Sequence, residues 1–313
     1  MKKDFISLAD FSSEELEDMI SLARKMKEEP SNYSDSLRGK VLGMIFYKKS
    51  TRTRLSFEVG ILQLGGFGIF ISPDEMQVAR GETLADTAKA LSRYLDGIMI
   101  RTFAHEDVVE LAQHATVPVI NGLTDYNHPC QALADMMTID EKFGQLRGKK
   151  LAYIGDGNNM ALSLMVACIK FGMNISIVSP EKYSLNKEKL HLSIKEAELK
   201  NIKILLTSNV EEGVSDADIV YTDVWASMGQ DEERDLRVKE FAGYCVDSRV
   251  MSMAKNEALF MHCLPAHRGE EVSASVIDGK ASIVFDQVEN RLHLQKAILY
   301  KLMKQVSVSS RKS

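Results

Sequence analysis

Five consecutive residues, Ser50-Thr51-Arg52-Thr53-Arg54, place three hydroxyls and two guanidinium groups between an apolar run and an amphipathic one. Residues 41–47 read as a buried strand and residues 55–64 as a helix. The hydroxyls and guanidiniums therefore stand at a helix N-terminus. Backbone N–H groups and the positive end of the helix dipole point there, which favours a dianion. Arginine adds a planar fork that matches phosphate oxygens, and serine and threonine add further donors. The segment has neither the lysine nor the glycines of a Walker loop, so a nucleoside triphosphate is not the expected ligand.

Other segments carry chemistry of their own. In His128-Pro129-Cys130-Gln131, His128 and Gln131 lie three residues apart, on one helical face, and both can donate to a carbonyl or phosphate oxygen. Arg101 follows the apolar Ile98-Met99-Ile100. Asp223-Val224-Trp225-Ala226-Ser227-Met228-Gly229 puts a carboxylate, a hydroxyl and the only tryptophan in one loop, and a carboxylate there suits a substrate ammonium group. His262-Cys263-Leu264-Pro265 mixes metal-ligand and nucleophile types; a lone Cys263 could serve as a nucleophile. Zinc would require further ligands at spacings the sequence does not offer, so no metal is expected. Gly155-Asp156-Gly157-Asn158-Asn159 resembles half of a dinucleotide fingerprint. Met160 stands at the third glycine position, and no acid clearly closes the next strand, so it is weak evidence for NAD and no cofactor is expected.

The elements that must position these residues alternate along the chain. Ser12-Ser13-Glu14-Glu15 is a capping-box signature for a first helix. The helix after the hydroxyl–arginine cluster carries two apolar stripes, Leu55/Val59/Leu62 and Phe57/Ile61/Leu64, which predict burial on more than one side. Gly65-Gly66 ends it. Further strands are expected at 68–71, 98–100, 117–120, 151–154, 175–178, 202–206, 219–222, 259–262 and 283–285, with helices between most of them. Pro129 suits the first turn of a helix that runs to about Phe143. This alternation predicts an α/β fold in two domains, each a mostly parallel sheet with helices on both faces. The expected division is 1–147 and 148–286, with a C-terminal helix at 287–305 packing back on the first domain. In such sheets ligands bind beyond the carboxyl ends of strands. The clusters at 50–54, 101, 128–131, 158–159, 223–229 and 263–265 each follow a predicted strand.

Composition bounds the alternatives. The chain has 313 residues, 45% of them apolar and 27% charged, as expected for a soluble globular protein of two domains. A net charge of −5 argues against nucleic-acid binding, so an anionic ligand must be held locally. Cys130, Cys168, Cys245 and Cys263 are widely spaced, which points to a reducing cytoplasm rather than a disulfide scaffold. The N-terminus has no apolar leader character and no run reaches membrane-spanning length, so no membrane association is expected.

Taken together and in this order, these segments resemble the aspartate/ornithine carbamoyltransferase family across essentially the whole chain. Ser-Thr-Arg-Thr-Arg and His-Pro-x-Gln mark the half that is shared by the family. Asp-x-Trp-x-Ser-Met-Gly and His-Cys-Leu-Pro mark its ornithine-type members. The resemblance implies transfer of a carbamoyl group from carbamoyl phosphate to the δ-amino group of L-ornithine, by single displacement without a covalent enzyme intermediate. It places carbamoyl phosphate contacts on Ser50, Thr51, Arg52, Thr53, Arg101, His128 and Gln131, completed by Cys263, Leu264 and Arg291. It places ornithine contacts on Asn159, Asp223, Ser227 and Met228, and the catalytic roles on Arg52, Arg101, His128 and Cys263. It also implies a homotrimer in which Gln77 reaches a neighbouring subunit's site; Ala79 in that loop stands where many relatives have glycine. Putrescine is the nearest alternative acceptor, and aspartate would need cationic residues where Asp223 stands. A dinucleotide-binding oxidoreductase and a catalytically silent interaction subunit are the alternatives of other classes.

Overall fold

A computed structural model describes residues 2–186, 190–226 and 233–304. The chain forms two compact units. One comprises Met1–Met137 and the chain from Glu289 onward, and the other Thr138–Val288. Both divisions fall inside helices, at positions the glycine-rich residues 144–148 do not mark.

The first unit is built on β1 (Val41–Phe46), β2 (Phe67–Ile71), β3 (Gly97–Arg101) and β4 (Val119–Leu123), all parallel in the order β2-β1-β3-β4. Its helices are α1 (Ser13–Glu28), α2 (Thr51–Gln63), α3 (Leu84–Tyr94), α4 (His105–His114) and the start of α5 (Pro129–Phe143). The expected capping box forms: Ser12 Oγ accepts from the Glu15 N–H, and the Glu15 carboxylate accepts from the Ser12 N–H. Pro129 opens α5 as expected. Gly65, at φ +84°, ends α2; a Cβ there would meet the Ser34 carbonyl at 2.6 Å. Ile45, Ile98, Ile100, Val108, Leu111 and Val119 form a core between the sheet and the helices. Fully burying each such side chain contributes about 1.5–3 kcal/mol.

One helix face departs from expectation. Phe57, Ile61 and Leu64 are buried, but Leu55 is 53% and Leu62 65% exposed. Beside them, Phe67, Ile69 and Phe70 of the edge strand β2 are also exposed. Apolar periodicity reports a face that needs covering, not what covers it.

The second unit carries β5 (Lys150–Ile154), β6 (Asn174–Val178), β7 (Ile204–Thr207), β8 (Ile219–Thr222) and β9 (Leu259–His262), parallel in the order β7-β6-β5-β8-β9. Helices α6 (Asn159–Phe171), α7 (His191–Leu199), α8 (Val210–Val214), α9 (Arg234–Glu240), α10 (Ser248–Met253) and α11 (Ala274–Ile277) connect them. Ala152, Ile154, Val178, Val220, Phe260, Val276 and Val284 belong to its core.

The strand expected at 283–285 does not form. Phe260 and Ile283 exchange single backbone bonds with the 281–283 segment and β9, and the chain then turns into α12 (Val284–Met303). An apolar run of three residues is too short to separate strand from helix by period, and the buried Val284, Gln287, Arg291 and Leu294 follow at helical spacing, two of them polar and so giving no apolar period to read. Among the described residues no helix is long and apolar enough to cross a membrane.

Candidate active site

Strand order explains why chemistry gathers where it does. In the first sheet β1 continues to β2 on one side while β3 lies on the other, so the order reverses between β1 and β3. In the second sheet it reverses between β5 and β8. Open α/β sheets bind ligands beyond the carboxyl ends of strands at such switch points. The residues there are the hydroxyl–arginine cluster and Arg101 in one unit, and Asn158 and Asp223 in the other.

In the first unit Ser50 is the N-cap of α2, its Oγ accepting from the Thr53 N–H at 3.2 Å. Thr51 and Arg52 occupy the first turn, and the Arg52 carbonyl accepts from Ser56 Oγ at 2.6 Å. Arg101 is the last residue of β3, paired in register with Phe46. Thr53 Oγ1 accepts from Arg101 Nη1 at 3.4 Å and from Arg291 Nη2 at 3.1 Å. Arg291 Nη1 also donates to Gln131 Oε1, and Gln131 Nε2 donates to Asp135 Oδ1 at 2.8 Å. Thr53, Arg101, His128, Gln131 and Arg291 are all buried. Lys48, buried just before the cap, pairs with Asp125 and lies over the Phe103 ring, joining the ends of β1 and β4.

This cluster concentrates positive charge in a chain of net charge −5. His128 does not add to it. Burial, followed by the charges of Arg291, Arg101 and Arg52, holds its imidazole well below the ordinary histidine range. At neutral pH it is a neutral ring with one N–H to donate. Neighbouring Cys130 is no nucleophile, because burial pushes its thiol up to about 12. A dianion fits beside the guanidiniums and the N-terminus of α2, and a carbonyl oxygen fits a neutral imidazole donor. Gln77, itself exposed, opens the short 3-10 helix Gln77–Arg80 in the stretch between β2 and α3.

In the second unit, the Asp223 carboxylate is buried at the end of β8. Its Oδ1 accepts from the Val224 N–H at 2.8 Å and from Cys263 Sγ at 3.0 Å, and its Oδ2 accepts from Asn158 Nδ2 at 3.2 Å. Asn158 also caps α6, so Asn159 begins the helix at the same strand end. Leu264 sits at φ +57°, a left-handed conformation costly for a branched side chain. Its N–H donates to His262 Nδ1 at 2.8 Å, and His262 Nε2 meets Glu271 Oε1 at 3.3 Å, so a buried pair fixes that turn. Ser227 and Met228 lie outside the described residues.

Asp223, His262 and Cys263 bring three ligand-type atoms within 4.8 Å of one another, as do His267, Glu270 and Glu271. In the first set both ring nitrogens and the thiol are engaged in the bonds just described, so a metal there would have to break them. The glycine-rich loop after β5 also has a packing explanation. A Cβ on Gly157 would meet the backbone of Tyr183 and Leu185 at 2.6 Å. The Gly157 N–H donates to the Tyr183 carbonyl at 2.8 Å, so the glycine admits a neighbouring chain segment. Lys48, His262 with Glu271, and the Asn158 side chain are supporting residues that sequence reasoning missed or left without a role. The Asn158-Asn159 pair after a strand and the His262-Cys263-Leu264-Pro265 segment carried signals for two of them, and Lys48 carried none.

Comparison with known proteins agrees with the geometry. The carbamoyl-P binding domain model of the aspartate/ornithine carbamoyltransferases matches residues 3–141, and their Asp/Orn binding domain model matches residues 147–302. An ornithine carbamoyltransferase of Oceanobacillus iheyensis is 56% identical over 303 residues, covering 96% of this chain and 94% of that one. One from Symbiobacterium thermophilum is 55% identical over 304 residues, covering 96% of this chain and 98% of the relative. The solved structure of ornithine carbamoyltransferase from Pyrococcus furiosus superposes with a TM-score of 0.94 at 47% identity, covering 98% of each chain. The two domain matches, the full-length identity and the shared two-unit α/β fold place this chain in the aspartate/ornithine carbamoyltransferase family.

Proposed function

We infer that this chain transfers the carbamoyl group of carbamoyl phosphate to the δ-amino group of L-ornithine, giving L-citrulline and phosphate. The observation that carries the reading is the buried arrangement of Arg101 and Arg291 on one threonine hydroxyl, with neutral His128 beside them at a helix N-terminus. It supplies fixed donors for a phosphate and for a carbonyl oxygen that gains charge as its carbon becomes tetrahedral. We assign carbamoyl phosphate to Ser50, Thr51, Arg52, Thr53, Arg101, His128, Gln131 and Arg291, with Cys263 and Leu264 on the carbamoyl side. We assign the ornithine α-ammonium to Asp223 and its carboxylate to Asn159 and the Met228 N–H, with Ser227 as a further ornithine contact. The functional division we propose is 1–147 with 287–305 for carbamoyl phosphate, and 148–286 for ornithine.

In the reaction the amine nitrogen forms a bond to the carbamoyl carbon, the C–O bond to phosphate breaks, and one proton leaves the nitrogen. Arg52, Ser50 and the α2 N-terminus stabilise the charge that develops on phosphate. Thr53, Arg101 and His128 face the carbonyl oxygen. An alkyl amine has a pKa of roughly 10.4 and is almost fully protonated at neutral pH. Desolvation and the cationic Arg52 and Arg101 favour its neutral, nucleophilic form. Cys263, already donating to Asp223, contacts the amine as a polar neighbour rather than as a covalent nucleophile.

We further propose a cytoplasmic homotrimer acting in arginine metabolism. The four cysteines are free thiols, consistent with a reducing compartment. The exposed face of Leu55, Leu62, Phe67, Ile69 and Phe70, on a helix and an edge strand, is the kind of surface a second copy covers. A groove of about 990 Å³ on this face is lined by Ser50, Thr51, Leu55, Leu62, Phe70 and Asp74 among others, offering a place for the Gln77 loop of a neighbour. The test of the reaction is stoichiometry. Phosphate and citrulline should appear in equal amounts from carbamoyl phosphate and ornithine. Phosphate release of equal rate without ornithine would refute the transfer.

A further inference from the structure

Arg237, on α9, is absent from every role assigned above, yet among the described residues it is the one buried arginine of the second unit. Its Nη1 donates to Asp156 Oδ2 at 2.7 Å and to the Trp225 carbonyl at 2.9 Å, and its Nε donates to Glu233 Oε2 at 3.1 Å. The guanidinium lies 4.8 Å from the centre of the Tyr183 ring. Tyr183 packs on Phe241, and Phe241 stacks on Trp225 with ring centres 5.5 Å apart. One side chain therefore ties together α9, the loop after β5 and the loop after β8.

Those two loops flank Asp223. The loop after β5 carries Asp156 and Asn158, and Asn158 Nδ2 donates to Asp223 Oδ2. Tyr153 joins the same loop from below, its hydroxyl donating to the Asp156 carbonyl at 2.9 Å. The loop after β8 carries Val224, whose N–H donates to Asp223 Oδ1, and next to it Trp225, whose carbonyl Arg237 holds. The carboxylate is thus gripped from two sides by segments that share a single ionic anchor. Burial pushes the Asp156 carboxyl above its ordinary value, and the charge and hydrogen bond of Arg237 offset part of that rise.

We propose that Arg237 is a positioning residue for the amino-acid substrate: through Asp156 and the Trp225 carbonyl it fixes the loops that orient Asp223, and so sets affinity for ornithine without touching carbamoyl phosphate. The inference rests on the ornithine reading of Asp223. Lysine cannot reproduce it, because a single ammonium has no second nitrogen to serve Glu233 while Nη1 serves Asp156 and the Trp225 carbonyl, and it lacks the planar group held near the Tyr183 ring.

The test is steady-state kinetics of Arg237→Met, Arg237→Lys and Asp156→Asn beside the unaltered enzyme, with carbamoyl phosphate binding measured separately by calorimetry. Arg237→Met should raise the ornithine KM at least tenfold, with kcat within threefold and the carbamoyl phosphate Kd within twofold. Arg237→Lys and Asp156→Asn should each raise the ornithine KM about threefold or more, in the same direction and with the same split. Ornithine KM values within twofold of the unaltered enzyme in all variants that fold would overturn the proposal. So would a parallel loss of kcat and of both affinities, which marks general destabilisation. If Arg237→Met does not fold, the lysine and asparagine variants decide by the same criteria. Failure of the unaltered enzyme to use ornithine would instead remove the functional reading on which the proposal stands.

Discussion

Replacing Asp223 by asparagine separates the two halves of the proposed reaction. The carboxylate is 7% exposed and accepts from the Val224 N–H, Cys263 Sγ and Asn158 Nδ2. Asparagine keeps the shape and one acceptor oxygen, so the Val224 bond can persist. It removes the charge, and its NH₂ must point at either the Cys263 thiol or the Asn158 amide, both of which now donate to the carboxylate. Truncating one partner of a buried, hydrogen-bonded charge pair costs 2–5 kcal/mol, much of it from the stranded partner. Here the amide oxygen still accepts from an ammonium, which puts the loss near the lower end, about 2–3 kcal/mol. At about 1.4 kcal/mol per factor of ten, the ornithine KM should rise roughly 30- to 150-fold. The assay is citrulline formation at saturating carbamoyl phosphate, with carbamoyl phosphate binding as the control that should not move. An ornithine KM within threefold of the unaltered enzyme would refute the assignment of the α-ammonium. A fall in kcat at unchanged KM would move Asp223 from substrate binding to the chemical step.

Four further outcomes follow from the same geometry. Thr53→Val removes the acceptor shared by the Arg101 and Arg291 guanidiniums, a loss of about 1.5–3 kcal/mol, so the carbamoyl phosphate KM should rise about ten- to hundredfold in steady-state assays while the ornithine KM holds. Cys263→Ser should weaken turnover without abolishing it; complete loss together with a carbamoyl-cysteine adduct found by mass spectrometry would contradict the direct transfer. Acid should destabilise the fold. His128 is held well below 6.5 and His293 at about 4, in both cases chiefly by burial, so below pH 6.5 the unfolded chain takes up protons that the native one does not. Well below that point each histidine removes at most about 1.4 kcal/mol of stability per pH unit, less for the partly exposed His293, read as a falling urea midpoint between pH 7 and pH 5; a flat midpoint would contradict the neutral rings. In sedimentation, Leu62→Glu should disperse the proposed trimer into smaller species, and a monomeric unaltered protein would remove the proposed assembly itself.

The parts legible in the sequence were those written in local pattern. Strand ends followed by polar clusters, the Ser12 capping box and the proline opening α5 each rest on neighbours a few residues apart, and the structure forms all of them. What stayed hidden depends on contacts between distant residues. Arg291 reaches Thr53 across 238 positions, and it entered the sequence reading only through resemblance to a family. Arg237 meets Asp156 across 81 positions, and nothing in either segment announces the pair. The Leu55/Val59/Leu62 stripe was read as interior because periodicity cannot distinguish a face covered by the same chain from one left open. Residues 283–285 depart from the expected strand for a related reason, since three apolar residues fit a strand and a first helical turn equally well.

The measurement that tests the central claim most directly is citrulline formation from carbamoyl phosphate and L-ornithine, run beside putrescine and L-aspartate as acceptors. A strong preference for ornithine is the expected result, because the buried carboxylate at the end of β8 suits an α-ammonium and repels the second carboxylate of aspartate, while the proposed Asn159 and Met228 contacts serve a carboxylate that putrescine lacks. Equal or better turnover with putrescine would contradict the role given to Asp223 and its loop, and turnover with no amine at all would contradict the transferase reading itself.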